Sequence, residues 1–260
     1  MHEYRFDADT AVAAVGDGRF EGELAHRWTI AGIPNGGYVM GMMLRACQAM
    51  SNHPDPLTAT GHFLSPTAPG PVEVRVETVK AGRSSSTFQA SLHQEDRERI
   101  RLLATFGHLD GRDGPDHLFL DPPSIEPPFT SERSPLVQEF PENFVLEIPQ
   151  SVAGGALGKP TGEPEIGGRM AFADGRPADL VSLPVFADGL APVAFNLGYP
   201  AWTPTLELTI HFWNHPAPGP LSVWITTDVV VGGYHDETAN LWDSEGRLVG
   251  RSRQLARILT

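Results

Sequence analysis

The sequence has little of what would indicate a secreted, membrane or nucleic-acid-binding protein. Cys47 is its single cysteine, which excludes disulfides within the chain and zinc sites built from cysteines, and which suits a reducing cytoplasm. Lys and Arg number 19 against 32 Asp and Glu, a formal net charge of -13, so no basic surface for nucleic acid or an anionic membrane is expected. No apolar run approaches the roughly 18 residues of a membrane-spanning helix, and the first residues lack a signal-peptide core. We therefore expect a cytoplasmic protein without nucleic-acid or membrane partners.

Several catalytic and binding motifs are also absent. The chain contains no Gly-x-Ser-x-Gly elbow, no P-loop and no dinucleotide-binding glycine pattern, so serine hydrolases and nucleotide enzymes lack support. Asp110, Asp113 and Asp116 do not have the spacing of an EF-hand loop. We expect no metal and no cofactor.

What the 260 residues do contain is an internal repeat. Residues 62–71 align without gaps on residues 211–220, with six of ten positions identical at an offset of 149. In both copies an alternating apolar and polar stretch follows, at residues 72–77 and 221–226, which is typical of a strand with one buried face. Each copy then continues through turns into two further strand-like stretches, the last of them at residues 100–106 and 248–255. The repeat predicts a duplicated, mostly antiparallel β unit.

One helix is expected before each set of strands. Residues 36–50 are apolar on nearly all sides, which indicates a buried helix, with Asn35 as its N-cap. Residues 177–190 are the second candidate, although Pro184 would kink or end a helix there. Between the halves, the proline-rich residues 111–142 predict an extended connector. The expected domains are therefore residues 1–110 and residues 143–260, joined by that connector.

One buried helix wrapped by an antiparallel sheet, present twice, resembles the double hotdog, an α+β fold. The motifs are similar to those of the acyl-CoA thioesterase II family and the thioesterase-like superfamily. They lie at residues 33–38 and 62–66 in the first half and at residues 172–177, 204–209 and 246–254 in the second. The resemblance implies hydrolysis of acyl-CoA without a cofactor. It also implies a homodimer or higher homo-oligomer, because open sheets leave edges and faces to cover.

The resemblance further implies a catalytic set in the second half. In the family an Asp, a Thr or Ser and a Gln hold the water that attacks the thioester, and Asp188, Thr205 and Gln254 stand at the similar positions. A partly desolvated Asp188 could act as general base, and Gln254 could orient the water without titrating. Each residue also has a structural interpretation: a turn residue for Asp188, an ordinary strand residue for Thr205 and an exposed edge-strand residue for Gln254.

The first half is expected to lack this chemistry. At the offset of 149, Gln254 aligns with Thr105 and Thr205 with Pro56, and an ungapped alignment places Asp188 on Val39.

The helix start at Asn35, Gly36 and Gly37 is a substrate-binding candidate, because glycines there let a ligand approach backbone N–H groups. Such donors could stabilise the tetrahedral oxyanion. Tight packing of the helix start against the sheet explains the same glycines equally well.

Two other features receive structural interpretations. The run from His235 to Glu237 suggests metal ligands, but three consecutive residues of a strand cannot all face one ion, so a solvated hairpin turn is expected. Cys47 is expected to be a buried thiol.

Three functions remain open at this point. The first is an acyl-CoA thioesterase, with Met40, Met42 and Met43 as either an acyl-lined wall or ordinary core. The second is a non-catalytic acyl-thioester-binding protein that kept the fold. The third is hydration or dehydration of enoyl thioesters, which normally requires an Asp/His pair, and the sequence has no histidine at the family spacing.

Overall fold

The computed structural model describes residues 3–132 and 139–259. Its α-helices are Arg5–Asp9 (α1), Gly36–Met50 (α2), Leu183–Ala187 (α3) and Val193–Asn196 (α4). Short 3-10 helices lie at His26–Trp28, Phe140–Asn143, Gly155–Leu157 and Leu180–Ser182. Within the described residues, none of the helices is long and apolar enough to cross a membrane.

The strands fall into two sets, one in each half of the chain. The first set is Ala13–Gly16 (β1), Arg19–Leu24 (β2), Thr29–Ile30 (β3), Ile33–Pro34 (β4), Asp55–Phe63 (β5), Gly70–Ala81 (β6), Ser86–Gln94 (β7) and Arg97–Gly107 (β8). The second set is Phe144–Glu147 (β9), Glu165–Phe172 (β10), Thr205–Phe212 (β11), Leu221–Thr226 (β12), Val230–Val231 (β13), Tyr234–Trp242 (β14) and Leu248–Arg257 (β15). The strands predicted from the repeat are therefore confirmed.

In the described part of the chain, thirteen strands form one antiparallel sheet. Its order is β1-β2-β6-β7-β8-β5-β11-β15-β14-β12-β10-β9, with β13 paired to β14. The two halves meet where β5 pairs with β11. There Thr60 lies opposite Thr209, with their hydroxyl oxygens 2.9 Å apart. These threonines are 149 residues apart, so two equivalent residues of the repeat face each other in the central strand pair. The halves are consequently related by a local two-fold axis through this pair.

Helix α2 lies in the core between the sheet and the second half. Its side chains from Tyr38 to Leu44 are all buried, because the helix is apolar on every side. Asn35 caps it by accepting a hydrogen bond of 2.9 Å from the Tyr38 N–H, as predicted. Met40, Met42 and Met43 are fully buried, so they are core residues in this structure, and their contact with an acyl chain stays a prediction.

The second helical segment is shorter than the predicted residues 177–190. It consists of the 3-10 turn Leu180–Ser182 followed by α3, and a capping box between Asp179 and Ser182 starts it. Pro184 lies in the first turn of α3, where its missing N–H costs no helical hydrogen bond, so it begins the helix instead of ending it. The helix ends at Ala187, which places Asp188 directly after it.

The chain between the two sets of strands is irregular over residues 111–132. Residues 111–132 form no helix or strand apart from an isolated bridge between Phe129 and Pro149, and most of them are exposed. Residues 133–138 lie outside the described residues. The predicted connector extends too far at its C-terminal end, because residues 140–142 belong to the 3-10 helix Phe140–Asn143.

Candidate active site

The side chain of Asp188 extends from the end of α3 to the start of α2. Its Oδ2 accepts hydrogen bonds from Asn35 Nδ2 at 2.8 Å and from the Gly37 N–H at 3.0 Å. Asn35 Nδ2 also donates to the Asp188 carbonyl oxygen at 2.7 Å. A carboxylate at a helix N-terminus is stabilised by unpaired N–H groups and by the helix dipole. Asp188 is thus held across the interface between the halves and is not a simple turn residue.

The two glycines before Tyr38 permit this contact. A Cβ added to Gly37 would lie 2.1 Å from the Pro184 carbonyl oxygen, so only glycine lets α2 approach α3 this closely. A Cβ added to Gly36 would lie 3.2 Å from Asp188 Oδ2 and 2.8 Å from the Phe63 ring. The packing interpretation therefore holds for Gly37, whose N–H is used by Asp188, while substrate contact at this helix start stays a prediction.

The surroundings of Asp188 make it a stronger base than an ordinary aspartate. Burial raises the pKa of Asp188 to about 6, against the opposing effect of the hydrogen bonds from Gly37 and Asn35. The residue is still partly exposed. Its carboxylate is therefore mostly ionised at neutral pH.

Thr205 and Gln254 line the same small cavity as Asp188. The cavity has a volume of about 40 Å³. The Thr205 hydroxyl, at the start of β11, donates a hydrogen bond of 3.0 Å to Gln254 Oε1 on β15. Gln254 is only 8% exposed, and β15 lies between β11 and β14, so the edge-strand interpretation is wrong. The three residues named from the resemblance therefore come together in space.

His235 and Glu237 complete the wall of this cavity, and the sequence analysis missed them. The predicted solvated turn at residues 235–237 is wrong. The turn lies at Gly232 and Gly233, and the three residues belong to β14, where His235 is 1% and Glu237 4% exposed. Being two residues apart, His235 and Glu237 share one face of the strand.

A signal for this burial was present in the repeat. At the offset of 149, Glu237 aligns with Phe88, which is an apolar position of the first half. An acidic residue aligned with a core phenylalanine indicates a buried carboxylate more than a solvated turn.

Glu237 is a buried carboxylate with both oxygens occupied. Oε1 accepts from the Val193 N–H at 2.6 Å, and Oε2 accepts from Gln254 Nε2 at 2.5 Å. Burial raises the pKa of Glu237 to about 7, and the nearby negative charge of Asp188 adds to the rise.

Burial lowers the pKa of His235, so its ring is neutral at physiological pH. Nδ1 lies 3.8 Å from Glu237 Oε1, and neither ring nitrogen has a hydrogen-bond partner among the described residues. Within the same residues, no three His, Cys, Asp or Glu side chains are grouped to hold a metal ion.

The sheet register corrects one of the alignments between the halves. Glu237 lies opposite Gln254 across β14 and β15, whereas Phe88 lies opposite Ala104 across β7 and β8. The counterpart of Gln254 is therefore Ala104. The alignment of Gln254 with Thr105 is wrong by one residue, because the hairpin of β14 and β15 contains one residue more than the hairpin of β7 and β8. The first half still has no glutamine at this position, because Ala104 stands there.

A similar correction applies to the helices. Asn35 and Asp179 each accept a hydrogen bond from the N–H three residues later, so they mark the same point of the two helical segments. Counting from these caps, Asp188 corresponds to Leu44 and not to Val39. Both are fully buried apolar residues, so the first half has no carboxylate there.

Two phenylalanines fill the place of the cavity in the first half. Thr205 lies opposite Ala256, and its counterpart Pro56 lies opposite Phe106. Phe106 packs edge to face on Phe88, with ring centroids 5.9 Å apart, and both rings are buried. These rings stand where the second half has Ala256 and Glu237, so the polar cavity has no counterpart in the first half.

Comparison with known proteins agrees with this architecture. Residues 24–107 match the acyl-CoA thioesterase N-terminal domain, and residues 120–258 match the acyl-CoA thioesterase C-terminal domain. An uncharacterized protein of Mycobacterium tuberculosis is 27% identical over 92% of this chain and 90% of its own length.

Solved structures also match over nearly the full length. A Thermobifida fusca protein provisionally assigned as a thioesterase II is 34% identical, with a TM-score of 0.90 over 99% of this chain and 98% of that chain. A hot dog fold protein of unknown function from Alicyclobacillus acidocaldarius is 22% identical, with a TM-score of 0.88 over 100% and 99% of the two chains. The double hotdog architecture is thereby confirmed, and the chain belongs to the acyl-CoA thioesterase family, with the N-terminal and C-terminal domains of that family in tandem.

Proposed function

We propose that this protein hydrolyses an acyl-CoA thioester to a carboxylic acid and free CoA, using a water held by Asp188, Thr205 and Gln254. The observation that carries the proposal is that these side chains, from three separate elements, line one cavity of about 40 Å³. An ordered water needs two to four polar partners, and these side chains provide them in a cavity large enough for a water. Family membership supports the thioester as substrate class.

In the proposed reaction Asp188 is the general base. It takes a proton from the water while the water oxygen attacks the thioester carbonyl carbon, giving a tetrahedral intermediate. The hydrogen bonds from Asn35 and Gly37 both end at Oδ2, and we place the water at Oδ1. Collapse of the intermediate breaks the carbon–sulfur bond, and the proton returns from Asp188 to the departing CoA sulfur.

The thioester carbonyl is proposed to lie over the start of α2, beside Gly36. A Cβ at Gly36 would lie 3.2 Å from Asp188 Oδ2 and 2.8 Å from the Phe63 ring, so a side chain here would displace the carboxylate and the ring that border this place. The positive end of the helix dipole favours a negative charge at this place, which would stabilise the oxyanion. Asn35 and Gly37 act there by holding Asp188.

The first test is cleavage of a panel of acyl-CoAs of different chain length, followed with a thiol reagent. We expect release of free CoA from at least one member and its loss in Asp188→Asn. Binding of an acyl-CoA without release would support the second function, a non-catalytic binding protein.

A specific observation keeps enoyl-thioester hydration as a second candidate. No histidine of the sequence stands at the family spacing, yet His235 lies in the wall of the cavity that contains Asp188, with no hydrogen-bond partner for its ring nitrogens among the described residues. Incubation with an enoyl-CoA distinguishes the two reactions. Loss of the conjugated double bond without release of CoA would favour hydration, and release of CoA would favour hydrolysis.

We also propose a homodimer or higher homo-oligomer in the cytoplasm, with residues 1–110, 111–142 and 143–260 as the two domains and their connector. The outer strands of the long open sheet, β1 and β9, leave edges that a second copy could cover. Light scattering at micromolar concentration that showed only a 28.2 kDa particle would contradict the oligomer.

A further inference from the structure

We propose that Glu237 is a positioning residue for hydrolysis, which fixes the side-chain amide of Gln254 so that an N–H group, and not the carbonyl oxygen, faces the reacting water. The inference rests on the proposed function and adds to it a residue of the cavity wall whose two carboxylate oxygens are both bound to protein donors. Glu237 acts only through Gln254, its direct cross-strand neighbour.

The amide of Gln254 does not determine its own orientation. The oxygen and nitrogen of a glutamine have the same shape, so the surrounding hydrogen-bond partners decide which end points where. Gln254 Nε2 donates to Glu237 Oε2 at 2.5 Å, while Gln254 Oε1 accepts from the Thr205 hydroxyl at 3.0 Å. An ionised carboxylate only accepts hydrogen bonds, so it selects the nitrogen end of Gln254.

Glu237 is itself held in place by a backbone donor. Its other oxygen accepts from the Val193 N–H at 2.6 Å, at the start of α4. Both carboxylate oxygens are therefore bound to donors, and the side chain is 4% exposed. Glu237 cannot turn away from Gln254 without leaving a buried N–H unpaired, which costs free energy.

The hydrogen bonds between these side chains determine which donors and acceptors remain for a water in the cavity. The Thr205 hydroxyl gives its proton to Gln254, so its oxygen can only accept from a water. The Asp188 carboxylate also accepts, and Gln254 keeps one N–H that Glu237 does not use. One donor and two acceptors match a water that gives both hydrogens and accepts one bond, which leaves a lone pair for the attack. Reversal of the Gln254 amide would remove the donor.

The charges around Glu237 make this arrangement dependent on pH. His235 and Asp236 flank it on β14, Asp188 approaches from the end of α3, and the neutral Gln254 faces it from β15. Lysine and arginine side chains form no ion pair with Glu237 in the described part of the chain. Burial and the charge of Asp188 raise the pKa of Glu237 to about 7. Protonation would turn one oxygen into a donor facing Gln254 or Val193.

The kinetic test is a double-mutant cycle with thioester cleavage as the readout. Glu237→Gln keeps the shape of the side chain but brings an NH₂ group to the N–H donors of Gln254 and Val193. We therefore expect kcat to fall about tenfold or more, with little change in KM. If Glu237 acts through Gln254, the double variant with Gln254→Ala is no slower than Gln254→Ala alone. A wild-type kcat in Glu237→Gln, or losses that multiply in the double variant, would overturn the proposal.

The matched control is Asp243→Asn. Asp243 is a 3% exposed carboxylate directly after β14 that binds Arg247 and the turn, outside the cavity. Its replacement should lower the melting temperature without a tenfold change in kcat. An equal loss of kcat in this control would assign the Glu237 effect to general destabilisation.

A second measurement needs neither activity nor a variant of Glu237. The side-chain ¹⁵NH₂ signals of Gln254 in the wild-type protein, assigned by their loss in Gln254→Ala, should shift with a midpoint near pH 7 as Glu237 ionises. Signals that do not change between about pH 5 and 9 would overturn the proposal. A wild-type protein that cleaves no thioester would instead contradict the proposed function, and the NMR titration would still decide whether Glu237 controls Gln254.

Discussion

The carboxylate of Asp188 accepts a hydrogen bond of 3.0 Å from the backbone N–H of Gly37, 151 residues earlier in the chain. The proposed base comes from the second half, and the helix start that holds it comes from the first. The first half has no polar cavity of its own, since Phe88 and Phe106 fill that place. It therefore contributes to the site by supplying α2, and neither half contains the complete arrangement.

Replacement of Asp188 should remove the general base with little change in shape. We expect Asp188→Asn to lower kcat by about a hundredfold or more, because the amide cannot take a proton from water. Steady-state cleavage of the best acyl-CoA of the panel measures the change, with thermal melting to show that the variant is folded. Full activity in the folded variant would remove this mechanism and favour the binding-protein alternative.

Replacement of Gln254 tests which half reacts. Gln254→Ala should lower kcat by about tenfold or more, because the water loses a hydrogen bond and its orientation. Thr105→Ala is the control, since Thr105 only bonds the Thr87 hydroxyl at 3.0 Å on the other half of the sheet. That control should change the melting temperature alone. An equal fall of kcat in both variants would contradict the assignment of the water-holding side chains to the second half.

The contact between α2 and α3 should not tolerate a methyl group. In Gly37→Ala the Cβ would lie 2.1 Å from the Pro184 carbonyl oxygen, so the helices must separate and Asp188 must move. We expect a loss of about 1–3 kcal/mol of unfolding free energy and lower activity.

Gly114→Ala is the matched control for this change, because a Cβ there meets nothing within 4 Å. Chemical denaturation of both variants gives the comparison. Similar stabilities for the two would show that α2 and α3 can separate at no cost.

The two buried carboxylates should give the protein a characteristic dependence on pH. The pKa values of Asp188 and Glu237 are raised to about 6 and about 7, above those of unfolded chains at about 3.9 and 4.3. Between the pKa values of the unfolded chain and those of the folded protein, the folded state binds more protons than the unfolded state. The two carboxylates therefore make the unfolding free energy fall as pH rises. His235, whose pKa is lowered, has the opposite effect near pH 6.

The direction of this pH dependence is tested by comparing the unfolding free energy of variants with that of the wild type between about pH 5 and 8. Glu237→Gln should be more stable relative to wild type at pH 8 than at pH 5, because only the wild type must then bury a second charge. A constant difference across that range would show that Glu237 does not titrate with the raised pKa.

The connector should be the first place that a protease cuts. Residues 111–132 are mostly exposed and have few backbone hydrogen bonds, so they can enter a protease site without disrupting the sheet. Limited digestion with a broad-specificity protease, followed by mass spectrometry, should give two fragments divided in this region. Cleavage mainly within residues 60–106 would contradict this prediction.

The sequence by itself determined the repeated unit and the first helix. Period-two alternation marks strands with one buried face wherever they pair, and residues 36–50 are apolar enough to form a buried helix in any compact arrangement. The pairing of Thr60 with Thr209, its equivalent in the repeat, was not determined in this way, because an offset of 149 allows any residue to lie at a local two-fold axis. Asp188, Thr205 and Gln254 were named from a resemblance, and their separation along the chain gave no measure of their proximity.

Only the tertiary structure decided what surrounds those residues. A run such as His235 to Glu237 is compatible with a wet turn or a buried strand, and the choice depends on whether partners such as Val193 and Gln254 satisfy the carboxylate. The sequence likewise could not separate the packing of Gly37 from its hydrogen bond to Asp188, because both arise from the close approach of α2 and α3. Long-range contacts of this kind are set by the packing of whole elements, whereas the elements themselves are set by local pattern.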